Sequence, residues 1–148
     1  MKFRIIEDAD VVTYVTVCDP GDEAVSALEQ FARDEDLEAS QITAVGAFQR
    51  AVVGWFDREA KQYRRIPVDE QCEVLSMIGD VAVGQDGPAI HVHVVLGLAD
   101  GTTRGGHLLE GHVFPTLETV VRESAAELRK VMRPDIGLAL IDLDQSES

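Results

Sequence analysis

Hydrophobic and polar positions follow different periods along this chain, and each period predicts an element. Residues 11–18, Val-Val-Thr-Tyr-Val-Thr-Val-Cys, are β-branched or aromatic almost throughout. Such a run can pack on both of its faces, so it predicts a buried, central strand. The period then changes. Asp19-Pro20-Gly21-Asp22-Glu23 leads into Ala24, Val25, Leu28, Phe31 and Ala32 at helical spacing. Asp19 is the expected N-cap and Pro20, with its φ preset, the expected first helical residue, while Asp22 and Glu23 suit the positive end of the helix dipole. Glu29, Gln30 and Arg33 form the outer face, and the helix should end between Asp34 and Asp36.

Strand patterns fill most of the rest. Residues 41–48 form one run, and its small residues Ala44, Gly46 and Ala47 leave room for close backbone approach. Residues 51–57 and 62–68 predict a hairpin that turns at 58–61, where Arg58, Lys61, Arg64 and Arg65 mark a solvated, charged edge. Residues 73–83 predict a long strand with Gly79 as a bulge or bend. Gln85-Asp86-Gly87-Pro88 then turns the chain into residues 90–95. Val113-Phe114-Pro115 should change direction, 116–123 should be strand, 124–130 a short helix, and 138–143 a last strand. The sum is an α+β domain in which helices pack on a largely antiparallel sheet.

All four histidines fall in one segment, Ile90-His91-Val92-His93-Val94-Val95 followed by Arg104-Gly105-Gly106-His107-Leu108-Leu109-Glu110-Gly111-His112. Residues two apart in a strand share a face, so His91 and His93 stand side by side. Between the two runs, Ala99-Asp100-Gly101-Thr102 predicts a hairpin turn that returns His107 beside them. Three imidazoles on one face make a site for zinc or a similar divalent metal, with a fourth position for water, a substrate atom or another protein group. His112 has the opposite strand parity to His107. Glu73 and Glu110 are the carboxylates at hand for outer or acid–base roles, and His112 is grouped with them. The competing reading is a structural histidine cluster at a subunit interface. A cupin-type site is disfavoured, because it needs a glutamate where Gly97 and Leu98 stand. No Gly-x-Ser-x-Gly elbow, Walker loop or dinucleotide fingerprint occurs.

Composition narrows the partners. The 148 residues suit a single domain, with a core over about 11–143 and a frayed polar tail at 144–148. With 27 acidic against 13 basic residues, the net charge of −14 argues against a broad nucleic-acid surface, which draws its affinity from clustered Lys and Arg. Cys18 and Cys72 lie far apart in apolar surroundings and read as buried thiols of a reducing compartment. No basic leader and no bilayer-length apolar run occur, so a cytoplasmic protein is expected.

Several of these stretches, in this order, resemble the plants-and-prokaryotes-conserved (PPC) domain family. They are Asp19-Pro20-Gly21-Asp22-Glu23, Ile42-Thr43-Ala44-Val45-Gly46-Ala47, Glu73-Val74-Leu75-Ser76-Met77-Ile78-Gly79, His91-Val92-His93, and Asp100-Gly101 leading to Gly105-Gly106-His107-Leu108. The resemblance spans roughly residues 11–143. It implies a largely antiparallel α+β fold assembled as a homotrimer, with the histidine elements near a subunit interface. It also implies zinc, carried over only to His91, His93 and His107. In plants such a domain follows an AT-hook, and this chain has no Arg-Gly-Arg-Pro hook. Three functions are therefore weighed: a trimeric metal- or ligand-binding assembly module, a DNA-associated regulator that acts through protein partners, and a small zinc-dependent enzyme such as a hydrolase.

Overall fold

The computed structural model of the chain describes residues 2–7 and 11–147. In chain order the elements are β1 (Lys2–Glu7), β2 (Val11–Cys18), α1 (Ala24–Asp34), β3 (Ala39–Asp57), β4 (Gln62–Val68), β5 (Cys72–Gly84), β6 (Gly87–Gly97), β7 (Thr103–Ser124), β8 (Lys130–Arg133) and β9 (Leu138–Ile141). The first seven strands form one sheet in the order β1-β2-β7-β6-β5-β3-β4, all neighbours antiparallel. β3 pairs with β7 as well, so the ladder β7-β6-β5-β3 closes back on itself. β8 and β9 form a separate hairpin.

Two strands are much longer than the sequence pattern suggests. β3 runs without a break through both expected strands, 41–48 and 51–57, because register shifts bend it: its first half pairs with β5 and its second half with β4. β7 runs through Val113-Phe114-Pro115, where the Phe114–Pro115 peptide is cis, and changes partners from β6 to β2 along its length. The hairpin turns at 58–61, 85–86 and 99–102 lie where expected. β4 is the edge strand carrying Arg64 and Arg65. β2 is next to the other edge rather than central, with β1 outside it.

The helix starts later than Asp19 and Pro20 suggest. Gly21 adopts φ +96°, a left-handed conformation no helix interior accepts, and Asp19 and Asp22 bond each other across a tight turn instead. Glu23 is the actual N-cap: its carboxylate accepts from the N–H groups of Val25 (3.2 Å) and Ser26 (2.9 Å). The expected second helix at 124–130 is absent. Its backbone bonds elsewhere: Leu128 N–H donates to Glu38 O (3.1 Å), and Val83 N–H donates to Leu128 O (2.7 Å). Gly79 is not a bulge; it pairs in register with Ile42 and Val92, and a Cβ there would meet His91 O at 2.0 Å. Nor is the tail frayed up to Glu147, whose N–H donates to Glu127 O (2.8 Å); Ser148 lies outside the described residues.

Leu28, Phe31 and Ala32 of α1 press onto the inner sheet face, which contributes Ile42, Phe48, Met77, Leu96, Leu108 and Leu117. Each large side chain so buried stabilises the fold by about 1.5–3 kcal/mol. Phe31 meets Tyr14 edge-on, with ring centroids 5.3 Å apart. Cys18 and Cys72 are buried, free thiols, and burial pushes Cys18 up to about 11. The outer face of the sheet keeps Val45, Leu75, Ile78, Val95 and Val120 exposed. No helix among the described residues is long and apolar enough to cross a membrane.

Candidate metal centre

Register builds the centre. In the β5–β6 ladder Asp80 stands opposite His91 and Ile78 opposite His93; in the β6–β7 ladder His93 stands opposite His107. Alternation puts Val92, Val94 and Leu108 into the core, so the three imidazoles project from the other face. Directly opposed residues of an antiparallel pair have Cβ atoms about 5 Å apart, which suits ligation of one ion. The rings gather accordingly: centroids are 5.0 Å apart for His91–His93, 5.3 Å for His91–His107 and 5.4 Å for His93–His107. One donor nitrogen from each lies within 4.8 Å of the other two.

The finer geometry suits a tetrahedral cation. His91 Nε2 and His93 Nε2 are 3.1 Å apart; two nitrogens on a tetrahedral zinc at its usual bond length sit about 3.3 Å apart. His107 Nδ1 is buried without a hydrogen-bond partner, a costly state that coordination through that nitrogen would relieve. Tyr63 of β4 stacks on the His107 ring at 4.6 Å and 17°, holding its plane. Burial, then the neighbouring His91 and His93 and the Lys130 charge, lowers His107 to about 4. His93 is lowered as well, by burial and by His91, with Asp80 opposing. Both are thus neutral at physiological pH, the form that donates a lone pair to a metal.

Among the described residues one carboxylate reaches the cluster, and it is neither Glu73 nor Glu110. Asp80 Oδ2 lies 3.5 Å from His91 Nδ1, and Oδ1 forms an ion pair with Lys130 Nζ at 2.6 Å. Burial raises the Asp80 pKa, but the His91 and Lys130 contacts outweigh it and hold it below the ordinary carboxylate value. Glu73 pairs in register with Gly97 at the far end of β5, where it borders a separate cavity with Glu70, Gln71 and Leu98. Glu110 is ion-paired to Arg65 of β4. His112 contacts Arg50 at 3.3 Å and bridges to Glu23. The outer roles expected of Glu73, Glu110 and His112 thus have no contact with the triad behind them, while Asp80 and Lys130, which the sequence pattern does not single out, stand beside it. Asp80 was legible: counting pairs outward from Gly84↔Gly87 sets it opposite His91. Lys130 had no local signal.

Beside the triad opens a cavity of about 470 Å³, lined by Gln41, Ile42, Ile78, Gly79, Asp80, His91 and His93. It gives the cluster a face toward solvent or a ligand.

Comparison with known proteins agrees with this picture. A protein from Pyrococcus horikoshii described as a plant- and prokaryote-conserved (PPC) protein is 30% identical and superimposes with a TM-score of 0.83, covering 95% of this chain and 94% of its own. A protein from Archaeoglobus fulgidus described as metal-containing is also 30% identical, with a TM-score of 0.82 and coverage of 95% and 96%. Among curated proteins, the bifunctional protein GlmU of Synechococcus sp. (strain JA-3-3Ab) is 31% identical over 125 residues, 84% of this chain but 19% of that protein. The chain therefore spans about a fifth of that relative's length. Residues 7–125 match the Plants and Prokaryotes Conserved (PCC) domain, and this chain belongs to that family.

Proposed function

We propose that the chain is a metal-binding assembly module that holds one divalent ion of the zinc class through His91, His93 and His107. The observation that carries this reading is the convergence of three donor nitrogens within 4.8 Å, from two strands locked in register. A three-imidazole donor set favours zinc over magnesium or calcium, which prefer oxygen ligands. The metal-containing description of the Archaeoglobus fulgidus relative supports it. Bound there, the ion would supply a Lewis-acidic fourth position facing the cavity of Gln41 and Ile78.

The assembly is a homotrimer in this reading. Val45, Leu75, Ile78, Val95 and Val120, exposed on the histidine-bearing face, make an apolar patch that a second copy would cover. Other partners are proteins rather than nucleic acid, since the net charge is −14 and Arg64 and Arg65 of the basic edge are paired with Asp57 and Glu110.

Elemental analysis of tag-free protein, run beside light scattering, tests both parts. One metal per chain, lost in His93→Ala, and a mass three times that of the 16.2 kDa chain are expected. A His93→Ala protein that keeps its metal overturns the site, and a monomer mass overturns the trimer.

A further inference from the structure

Lys130 lies on β8, beyond the residues 7–125 that match the family. Its side chain is only 6% exposed, and its ammonium has two partners: Asp80 Oδ1 at 2.6 Å and Ala89 O, to which it donates at 3.0 Å. Asp80 and Ala89 belong to the two strands of the β5–β6 hairpin. Asp80 turns its other oxygen toward His91 Nδ1, 3.5 Å away. Lys130, Asp80 and His91 thus form one chain of contacts, from the β8–β9 hairpin to the triad.

From this arrangement we infer that Lys130 is a positioning residue for the metal site, and that docking of the β8–β9 hairpin and metal occupancy are energetically coupled. The inference rests on the metal-binding reading above. Its physical basis is that a carboxylate beside a ligand histidine sets the ring's orientation and basicity, and is itself set by whatever holds it. Lys130 holds Asp80. A nearly buried ammonium cannot leave its carboxylate cheaply, so the pair keeps Asp80 in one place. Two further bonds carry the docking: Val83 N–H donates at 2.7 Å to the O of Leu128, just before β8, and Lys61 Nζ donates at 2.8 Å to the O of Pro134 in the hairpin turn. Coupling of this kind is reciprocal, so a metal held by His91 must stabilise the docked hairpin by as much as the hairpin strengthens metal binding.

Two measurements on the full chain test this, with zinc ion as the probe. The first is zinc affinity by competition with a chromophoric chelator, for wild type, Lys130→Met and Lys130→Arg. We expect Lys130→Met to bind about ten- to a hundred-fold more weakly, the usual effect of removing an outer partner of a metal ligand, and Lys130→Arg to recover part of the loss. The second is amide hydrogen exchange over residues 130–141 of the wild type, with and without zinc. Zinc should slow exchange there, which a purely structural lysine would not produce. Unchanged exchange in wild type that binds zinc overturns the coupling and leaves the metal site standing, as does a folded Lys130→Met of wild-type affinity. Should Lys130→Met fail to fold, the wild-type exchange result decides alone. A wild type that takes up no zinc overturns both this inference and the reading beneath it.

Discussion

His93 and His107 are register partners across the β6–β7 ladder, their rings meeting edge to face with centroids 5.4 Å apart. Because the ladder fixes this pair at its end, with β5 paired beside His93 and β3 beside His107, their side chains are held together before any metal arrives. Such preorganisation removes much of the ordering cost of binding.

The protonation of these rings sets how metal retention responds to pH. His107 is held at about 4 and His93 below 6.5, so neither competes strongly for protons near neutrality. Metal content per chain should remain full at pH 6.5 and fall as pH drops toward about 4. The metal-free protein should lose stability over the same range: with the folded value depressed, the unfolded chain binds more protons, so stability rises with pH there. Elemental analysis after gel filtration at stepped pH gives the first curve. Loss of most of the metal already at about pH 6 would contradict the depressed values of both rings.

Glu23 ties the helix to the sheet. Its carboxylate caps α1 at Val25 and Ser26 and also accepts from the Gly111 N–H of β7 at 2.9 Å. Burial raises its pKa, yet the hydrogen bonds from Gly111, Ser26 and Val25 prevail and lower it below 4.5. The stabilisation is therefore complete above that value and lost as pH falls through the depressed folded one. Glu23→Ala should cost about 2 kcal/mol at pH 7. Thermal melts at pH 7 and pH 3 check this. A penalty of the same size at both would mean that the charge is irrelevant.

At Gly79, β5 and β6 approach so closely that a Cβ would meet His91 O at 2.0 Å and Val92 Cα at 2.8 Å. Neither backbone neighbour can yield without disturbing the ladder that presents His91. Gly79→Ala should destabilise the fold by about 1–3 kcal/mol and weaken metal binding as well. Urea midpoints and zinc competition read the two effects, and wild-type values in both would remove Gly79 from this role.

The apolar outer face offers a separable test of assembly. Val45 is 55% exposed in the single chain, so a charge there costs the monomer little. Val45→Asp should leave the far-ultraviolet circular dichroism unchanged while reducing the mass seen by light scattering to that of one chain. An unaltered trimer mass would place the interface elsewhere.

Local pattern made much of this legible. The turns at 58–61, 85–86 and 99–102, the buried Leu28 and Phe31 face of α1 and the meeting of His91, His93 and His107 all follow from period-two and period-3.6 spacing plus turn chemistry. Such features depend on residues a few positions apart, and short-range sterics decide them. Residues 124–130 show the limit. Ala125, Ala126 and Leu128 favour a helix locally, but hydrogen bonds of Leu128 with Glu38 and Val83, and of Glu127 with Glu147, take the backbone of the segment elsewhere.

By itself, then, the sequence determined which side chains share a face in the runs at 11–18, 41–57, 62–68, 73–83 and 90–95, down to the three imidazoles of the triad. Tertiary structure alone decided that β3 and β7 run unbroken, that Glu23 rather than Asp19 caps the helix, and that Lys130 holds Asp80 behind His91. The reason is range. Lys130 reaches Asp80 and Ala89 only because a hairpin distant in sequence docks on β5, and no local propensity records the energy of that docking.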